Sequence, residues 1–391
     1  MATLTESRFS LWLLALAANF YVLKGFRPFG SLDLGVVCLA LYLVLFSKNL
    51  FYASNVKINL HRYQGFIIII GVSVSIFSLL GNSILPPHLE LVVFKSWWNL
   101  GAVWFCLLIC YLIPTASFAS FLRITLVIGQ IVLLANLAHL LFSYDVKGGF
   151  KGFSGNPNQI SSYACYIAAC CVLLNDRVRL FNFSIVFGSG LLISYFANSS
   201  SGFLFFCFIF PFAFFLGRIK ASDSKKIITL IAFGAALVPA GIWAIYSEQP
   251  FFQDIVRKIY ASRFELWPDY WYLIRETYGL GYGPGKFASV IPGEFIGAQE
   301  AHNIYLDMAL NFSVVSAVLV LLFQLFGCIQ FLKVNRLDCL IIWSGLLALG
   351  LFMNIFRHPL FWILLWVPFI PSFDLRLRGL NALVGKRNRA V

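Results

Sequence analysis

Charge is what this chain has least of: only 12% of its 391 residues are Asp, Glu, Lys or Arg, against 60% hydrophobic. A soluble domain of that composition could not cover its surface with polar side chains, so a water-soluble enzyme or binding module is excluded. No Cys-x-x-Cys pair occurs and no Cys/His cluster has zinc spacing, which removes a redox dithiol and a zinc site. None of the nine cysteines falls in 247–302, the one long hydrophilic stretch, where an oxidising compartment would pair them. They read as small buried hydrophobes. Internal repeats and low-complexity segments are also missing, so the chain reads as a single membrane domain, 1–391, with 247–302 inserted in it.

What fills the chain is a series of long apolar runs separated by short polar clusters. A helix needs roughly 20 apolar residues to cross a bilayer, and lipid accepts only structures that close their backbone hydrogen bonds internally. A β-barrel would alternate over segments of about 10 residues. The runs at 203–216 and 314–331 do not alternate. The expectation is an all-α polytopic protein of about 12 transmembrane helices, at 9–23, 31–47, 63–82, 96–113, 121–142, 159–174, 181–197, 203–217, 227–246, 303–331, 339–356 and 359–371. The last is short and contains Pro368, as a tilted or partial crossing would.

The formal net charge of +13 would suggest nucleic acid in a soluble protein. Here the positive-inside rule accounts for it, and no nucleic-acid partner is expected. With the N-terminus in the cytoplasm, 18 Lys and Arg lie on the cytoplasmic side and 6 on the short outer connections. Both termini are then cytoplasmic and 247–302 is an outer, periplasmic loop between the ninth and tenth helices. Arg8, the following apolar run and Ala15-Leu16-Ala17 have the outline of a signal peptide, but cleavage would invert this asymmetry.

On that topology the outward connections hold nearly every feature that packing does not require. Asn156-Pro157-Asn158-Gln159 precedes the sixth helix, Asn198-Ser199-Ser200-Ser201-Gly202 joins the seventh and eighth, and Arg357-His358-Pro359 joins the last two. Within the long loop, 252–266 reads as one helix. Pro268 and Asp269 suit the first turn of a second, and Gly279 stops it. Gly279-Leu280-Gly281-Tyr282-Gly283-Pro284-Gly285-Lys286 follows. Its alternating glycines form either a tight backbone whose amides approach an anion or a plain turn between helices. It is no nucleotide P-loop, because the Gly-Lys-Ser/Thr ending is missing. Ala301-His302-Asn303 then runs into the tenth helix. Asp307 is the one acid in the apolar part of that span, on the face of Asn303, and an intramembrane carboxylate usually has a partner or a task. His61, His88 and His139 read as structural or solvated; His358, beside Arg357 at the outer face, reads equally well either way.

Three pieces now occur in order: Ser262-Arg263 with Trp267; Gly279 to Phe287; and His302-Asn303-Ile304-Tyr305-Leu306. With Asn156-Pro157-Asn158-Gln159 they resemble the bacterial O-antigen ligase and O-antigen polymerase family of membrane glycosyltransferases. The resemblance implies a GT-C-like fold in the bacterial inner membrane, with no cofactor or metal. It implies transfer of a glycan from an undecaprenyl diphosphate carrier to an acceptor hydroxyl on lipid A-core or on a second lipid-linked repeat. Arg263 matches the family's loop arginine and would balance the leaving diphosphate, with Arg275 and Lys286 assisting. His302 matches its essential histidine and would be the base, with Asn303 orienting it or the sugar. Asn156 and Asn158 would bind substrate. In two places the chain departs from the family pattern. The 198–202 loop lacks an arginine, for which Arg357 is a substitute, and a glycine expected ten residues after Asn303 is Ser313. A single large outer loop favours ligase over polymerase. A transporter or flippase of lipid-linked glycans is the competing class.

Overall fold

The computed structural model describes residues 8–20, 34–53, 62–84, 90–113, 117–142, 149–174, 178–218, 267–283, 303–352 and 358–370, together with residues 228, 232 and 253. Among them the regular structure is all helical. Thirteen helices follow in order: α1 Arg8–Phe20, α2 Leu34–Ala53, α3 Arg62–Ile84, α4 Glu90–Leu112, α5 Phe118–Phe142, α6 Pro157–Leu173, α7 Leu180–Phe196, α8 Ser200–Arg218, α9 Trp267–Glu276, α10 Ile304–Asn311, α11 Val314–Lys333, α12 Leu337–Phe352 and α13 Pro359–Trp366. Ten of the expected spans are present as helices, their ends shifted by up to six residues. The expected span 227–246 and the loop helix 252–266 lie outside the described residues, apart from those three isolated positions.

Among the described residues three helices, α5, α8 and α11, are long and apolar enough to cross a membrane. They also show the surface such a crossing needs. Along α5, Val127, Ile131, Leu134 and Leu141 are exposed at helical spacing, an apolar stripe that water would not favour. α6 is the opposite, buried from Ile160 to Leu173. It packs against α5, α7, α8, α12 and α13. Its Ser161, Ala164, Cys165, Ala168 and Cys171 let neighbours approach closely, as small residues do between membrane helices. Gly129 of α5, where an added Cβ would sit 2.3 Å from Ile167, is one such approach. Seven of the nine cysteines are buried and none forms a disulfide, which fits a packing role. α13 is buried along its whole length against α1, α4, α6 and α11. Its eight residues span only about 12 Å before Pro368 tightens the chain into a 3₁₀ turn, well short of the hydrocarbon thickness of a bilayer.

The expected tenth span, 303–331, is corrected. It is not one helix but two, α10 and α11, with Phe312 and Ser313 between them. Ser313 has φ 143° and ψ 163°, a region essentially reserved for glycine. The break also reverses direction. Tyr305 donates to Gln324 Oε1, 19 residues on, whereas one straight helix would hold those residues about 28 Å apart. α10 therefore folds back along α11. Hydropathy alone misses this, because the apolar run continues through the turn.

The Ser313 conformation costs a serine on the order of 1–3 kcal/mol, while its hydroxyl caps Ser316 N at 3.1 Å. Glycine at a cap is only a few tenths of a kcal/mol worse than serine. Ser313→Gly is therefore expected to raise the thermal midpoint of the purified protein and Ser313→Val to lower it. A lower midpoint for the glycine variant would contradict the strained hinge.

Candidate functional site

α9 starts at Trp267 with Pro268 and Asp269 in its first turn and Arg275 in its last, the charge order that a helix dipole favours. Its inner face, Tyr270, Leu273 and Ile274, is buried, and the helix packs against α10. It closes with paired turn bonds: Gly279 N donates to Ile274 O at 3.0 Å and Tyr278 N to Arg275 O at 2.9 Å. The left-handed residue in that closure is Tyr278 (φ 51°), one position before the expected glycine stop.

The glycine segment then runs across the break between α10 and α11. Tyr282 N donates to Leu310 O at 2.8 Å, and Gly279 O accepts from Val314 N at 2.9 Å. Gly281 N donates to Thr277 Oγ1 at 3.1 Å, and Leu280 N to Thr277 O at 2.9 Å. A Cβ on Gly281 would lie 2.8 Å from Ala309 O, so only glycine lets the two backbones meet. The amides of residues 279–282 are thus spent on protein carbonyls and on Thr277. Of the two sequence readings, the strap between helices is the one these amides adopt.

Asn303 begins α10 as its cap. Its Oδ1 accepts from Tyr305 N at 2.9 Å and from Leu306 N at 3.2 Å, leaving its Nδ2 unspent on the cap. Asp307 is fully buried one turn further on. Both polar groups therefore lie inside the protein, beside α11 rather than beyond its end.

At the start of α6, Asn156 plays the same part. Its Oδ1 accepts from Asn158 N at 2.9 Å and from Gln159 N at 3.3 Å, with Pro157 in the first turn. Ser154 Oγ, which donates to Asn156 O at 2.7 Å, braces the entry. Asn158 is half-buried, and its carbonyl accepts from Ser162 Oγ at 2.8 Å. Ser161 and Ser194 hydroxyls pair at 2.9 Å where Gly202 lets α8 close onto α6. Nearby in sequence, Gln159 Oε1 and Ser199 Oγ are buried with no hydrogen-bond partner among the described residues.

A third buried polar group lies at the start of α13. His358 caps that helix, its Nδ1 accepting from Leu360 N at 3.0 Å. That bond assigns the proton to Nε2, which is buried without a hydrogen-bond partner among the described residues. Tyr166, its ring 4.9 Å away, has an unpartnered buried hydroxyl too. Tyr163, at 5.7 Å, donates to Asn19 Oδ1 at 2.7 Å, and Asn19 Nδ2 donates to Ala15 O. Burial holds the His358 imidazole far below its ordinary pKa of 6.5, at about 3. By contrast, His139 stacks on Phe153 at 5.1 Å as a packing residue.

The residues singled out by sequence therefore divide. Asn303 and Arg275 belong to the α9–strap–α10 unit, Arg275 exposed on its surface. The hydrogen bonds of Asn156 and Asn158 given above stay within the α6 entry, 154–162. His302, Arg263, Lys286 and Arg357 lie outside the described residues. Sequence reasoning missed the Tyr305–Gln324 bond and the Tyr163–Tyr166–His358 cluster. His358 followed by Pro359 was a signal for a capped helix start; nothing in the sequence pointed to the other. Among the described residues no three of His, Cys, Asp and Glu come together as metal ligands would. No protein-family model and no curated protein matches this chain.

The His358 environment sets a pH dependence. Below about pH 6.5 an unfolded chain binds a proton there that the folded chain refuses, so stability falls as pH drops toward 3, by up to about 1.4 kcal/mol per unit. His358→Asn keeps an acceptor for Leu360 N and removes the titration. Its melting temperature is expected to fall less between pH 7 and pH 5 than that of the wild type. Equal slopes for the two proteins would place the imidazole in water.

Proposed function

We propose that this chain is a multi-pass inner-membrane glycosyltransferase of about 12 helices and GT-C-like fold. Its active site faces the periplasm and includes the 247–302 loop. It transfers an O-antigen-type glycan from undecaprenyl diphosphate to a sugar hydroxyl of lipid A-core. The donor sugar's C1–O bond to the diphosphate breaks as a new bond forms between C1 and the acceptor oxygen. His302 takes the acceptor proton, a role worth about 10²–10⁴ in rate. Arg263 balances the diphosphate as it leaves, each charge-assisted bond contributing about 1.5–3 kcal/mol. Arg275 and Lys286 assist it, Arg357 stands in for the arginine missing from 198–202, and Asn303 offers its Nδ2 to the base or the sugar.

The observation that carries this reading is the meeting of two motif pieces far apart in the sequence. The strap at 279–282 hydrogen-bonds to both sides of the break that follows Asn303. Ser313, where the resemblance expects glycine, has a backbone conformation that glycine adopts most readily, which supports the reading. Composition and the three long apolar helices support the membrane setting.

A second reading has an observation of its own. A broken membrane helix with a buried carboxylate, such as α10–α11 with Asp307, is also how transporters build sites. A flippase of lipid-linked glycans is therefore retained as the alternative.

Reconstituted protein given a lipid-linked glycan and lipid A-core is expected to form the joined product. His302→Ala and Arg263→Ala are expected to abolish it, by roughly 10² or more for the histidine, while still inserting in the membrane. Wild-type activity in either variant would refute its assigned role. A gene deletion is expected to leave bare core on a lipopolysaccharide gel, with polymer stranded on the carrier lipid. Core capped by a single repeat would instead identify a polymerase. Glycan crossing the bilayer with no product formed would favour the flippase.

A further inference from the structure

Four polar side chains from three helices meet in the interior of the bundle where α13 begins. His358 starts α13, Tyr163 and Tyr166 belong to α6, and Asn19 to α1. Both tyrosines and Asn19 are fully buried, and His358 is 5% exposed. Bulk water cannot answer a hydrogen-bonding group at that depth, and an unanswered one is costly.

The bonds already made determine what is left over. Leu360 N donates to His358 Nδ1, so Nε2 holds the imidazole proton and is a donor. Tyr163 Oη gives its one proton to Asn19 Oδ1 and keeps lone pairs that can accept. Asn19 Nδ2 is spent on Ala15 O. Tyr166 Oη has a proton to give and lone pairs to receive. Neither it nor His358 Nε2 has a hydrogen-bond partner among the described residues. The imidazole lies 4.9 Å from the Tyr166 ring and 5.7 Å from the Tyr163 ring, so these groups share one neighbourhood. The leftover set is one N–H donor, one hydroxyl that acts both ways and one acceptor oxygen. A metal cation does not suit it, because Nε2 carries a proton where a metal would bind. A buried anion would have no cation to balance it. Water suits it, since it both accepts and donates and typically makes about three bonds when buried.

We propose that an ordered water is bound between His358 Nε2 and Tyr166 Oη, accepting from the imidazole and donating to Tyr163 Oη. The bonds then run from His358 through the water and Tyr163 to Asn19, and tie α13 to α6 and α1. α13 needs such a tie. Its eight residues are too few for a helix to hold itself, and apart from two indole N–H groups its side chains are apolar. Apolar packing is not directional, whereas a hydrogen-bonded water fixes the rotation of the helix start. The site does not depend on glycosyl transfer; it holds for a flippase equally.

Electron cryo-microscopy of the full-length protein in nanodiscs, at a resolution that shows waters, tests it alongside thermal midpoints. A compact density peak within about 2.7–3.2 Å of both His358 Nε2 and Tyr166 Oη is the expected result. Tyr166→Phe removes one oxygen and keeps the ring. It is expected to lower the midpoint by roughly 2 °C or more, because the water and the imidazole N–H lose a partner. An unchanged or higher midpoint would overturn the proposal, since deleting a hydroxyl that had no partner relieves a desolvation cost. A direct bond between the two side chains, with no peak between them, would overturn it too. So would an elongated density, which would make this a site for an organic ligand.

Discussion

Where α10 turns back into α11, the backbone leaves helical pairing beside a helix whose outer face is exposed and apolar, as a lipid-facing surface would be. Lipid offers no partner for a free amide or carbonyl, so each group must be answered from within the protein. The strap does this. Leu310 O receives Tyr282 N, Val314 N reaches Gly279 O, and Met308 O takes the amides of Phe312 and Ser313. Much of the local architecture follows from that requirement. Gly281 has to be glycine because two carbonyls crowd its Cα. Thr277 has to reach Gly281 N because the strap leaves the helix there. α9 in turn is drawn against α10, where its inner face finds cover.

The same reversal relocates the polar residues of the candidate site. On a continuous helix, Asn303 would stand at one end of a 303–331 rod and Asp307 one turn along it. Folded back, both lie beside the body of α11, where Tyr305 binds Gln324. Asn303 can still cap its helix there, because the cap is local: two amides and one side-chain oxygen. Burying a carboxylate is far more expensive than burying a capped amide.

Helices of this chain were legible because the signals that make them are local. Apolar runs between polar clusters located α1 to α8, and Pro268 with Asp269 located α9. The fold-back was not legible, because Ser313 is not one of the residues that announce a turn and hydropathy is blind to direction. Only the glycine expected there by resemblance pointed to it. The strap was half legible. Alternating glycines signalled a non-helical backbone, and positive φ at Gly279, Gly281 and Gly283 agrees. What those glycines serve depended on where Leu310 and Ala309 lie, 27 or more residues away in the chain, which no local pattern encodes. Asn156-Pro157-Asn158-Gln159 shows the converse. It reads as a substrate motif by resemblance, yet its first asparagine and proline have a sufficient local task in starting α6.

Transfer and transport both ask the α10 unit to hold still. A transporter's broken helix keeps its site fixed while the bundles around it rock as rigid bodies. Here the break is tied by backbone bonds to the strap, by Ser313 Oγ to Ser316 N, and by Tyr305 to Gln324. A transferase asks for the same, a reacting group held still between a donor and an acceptor that come to it, since a misplacement of about 1 Å can cost 10²-fold in rate. Ser313 contributes to the same rigidity. A strained residue persists only where its surroundings over-determine it, and here bonds from three directions converge on the turn. That rigidity is what holds the Asn303 cap and the buried Asp307 in one place beside α11.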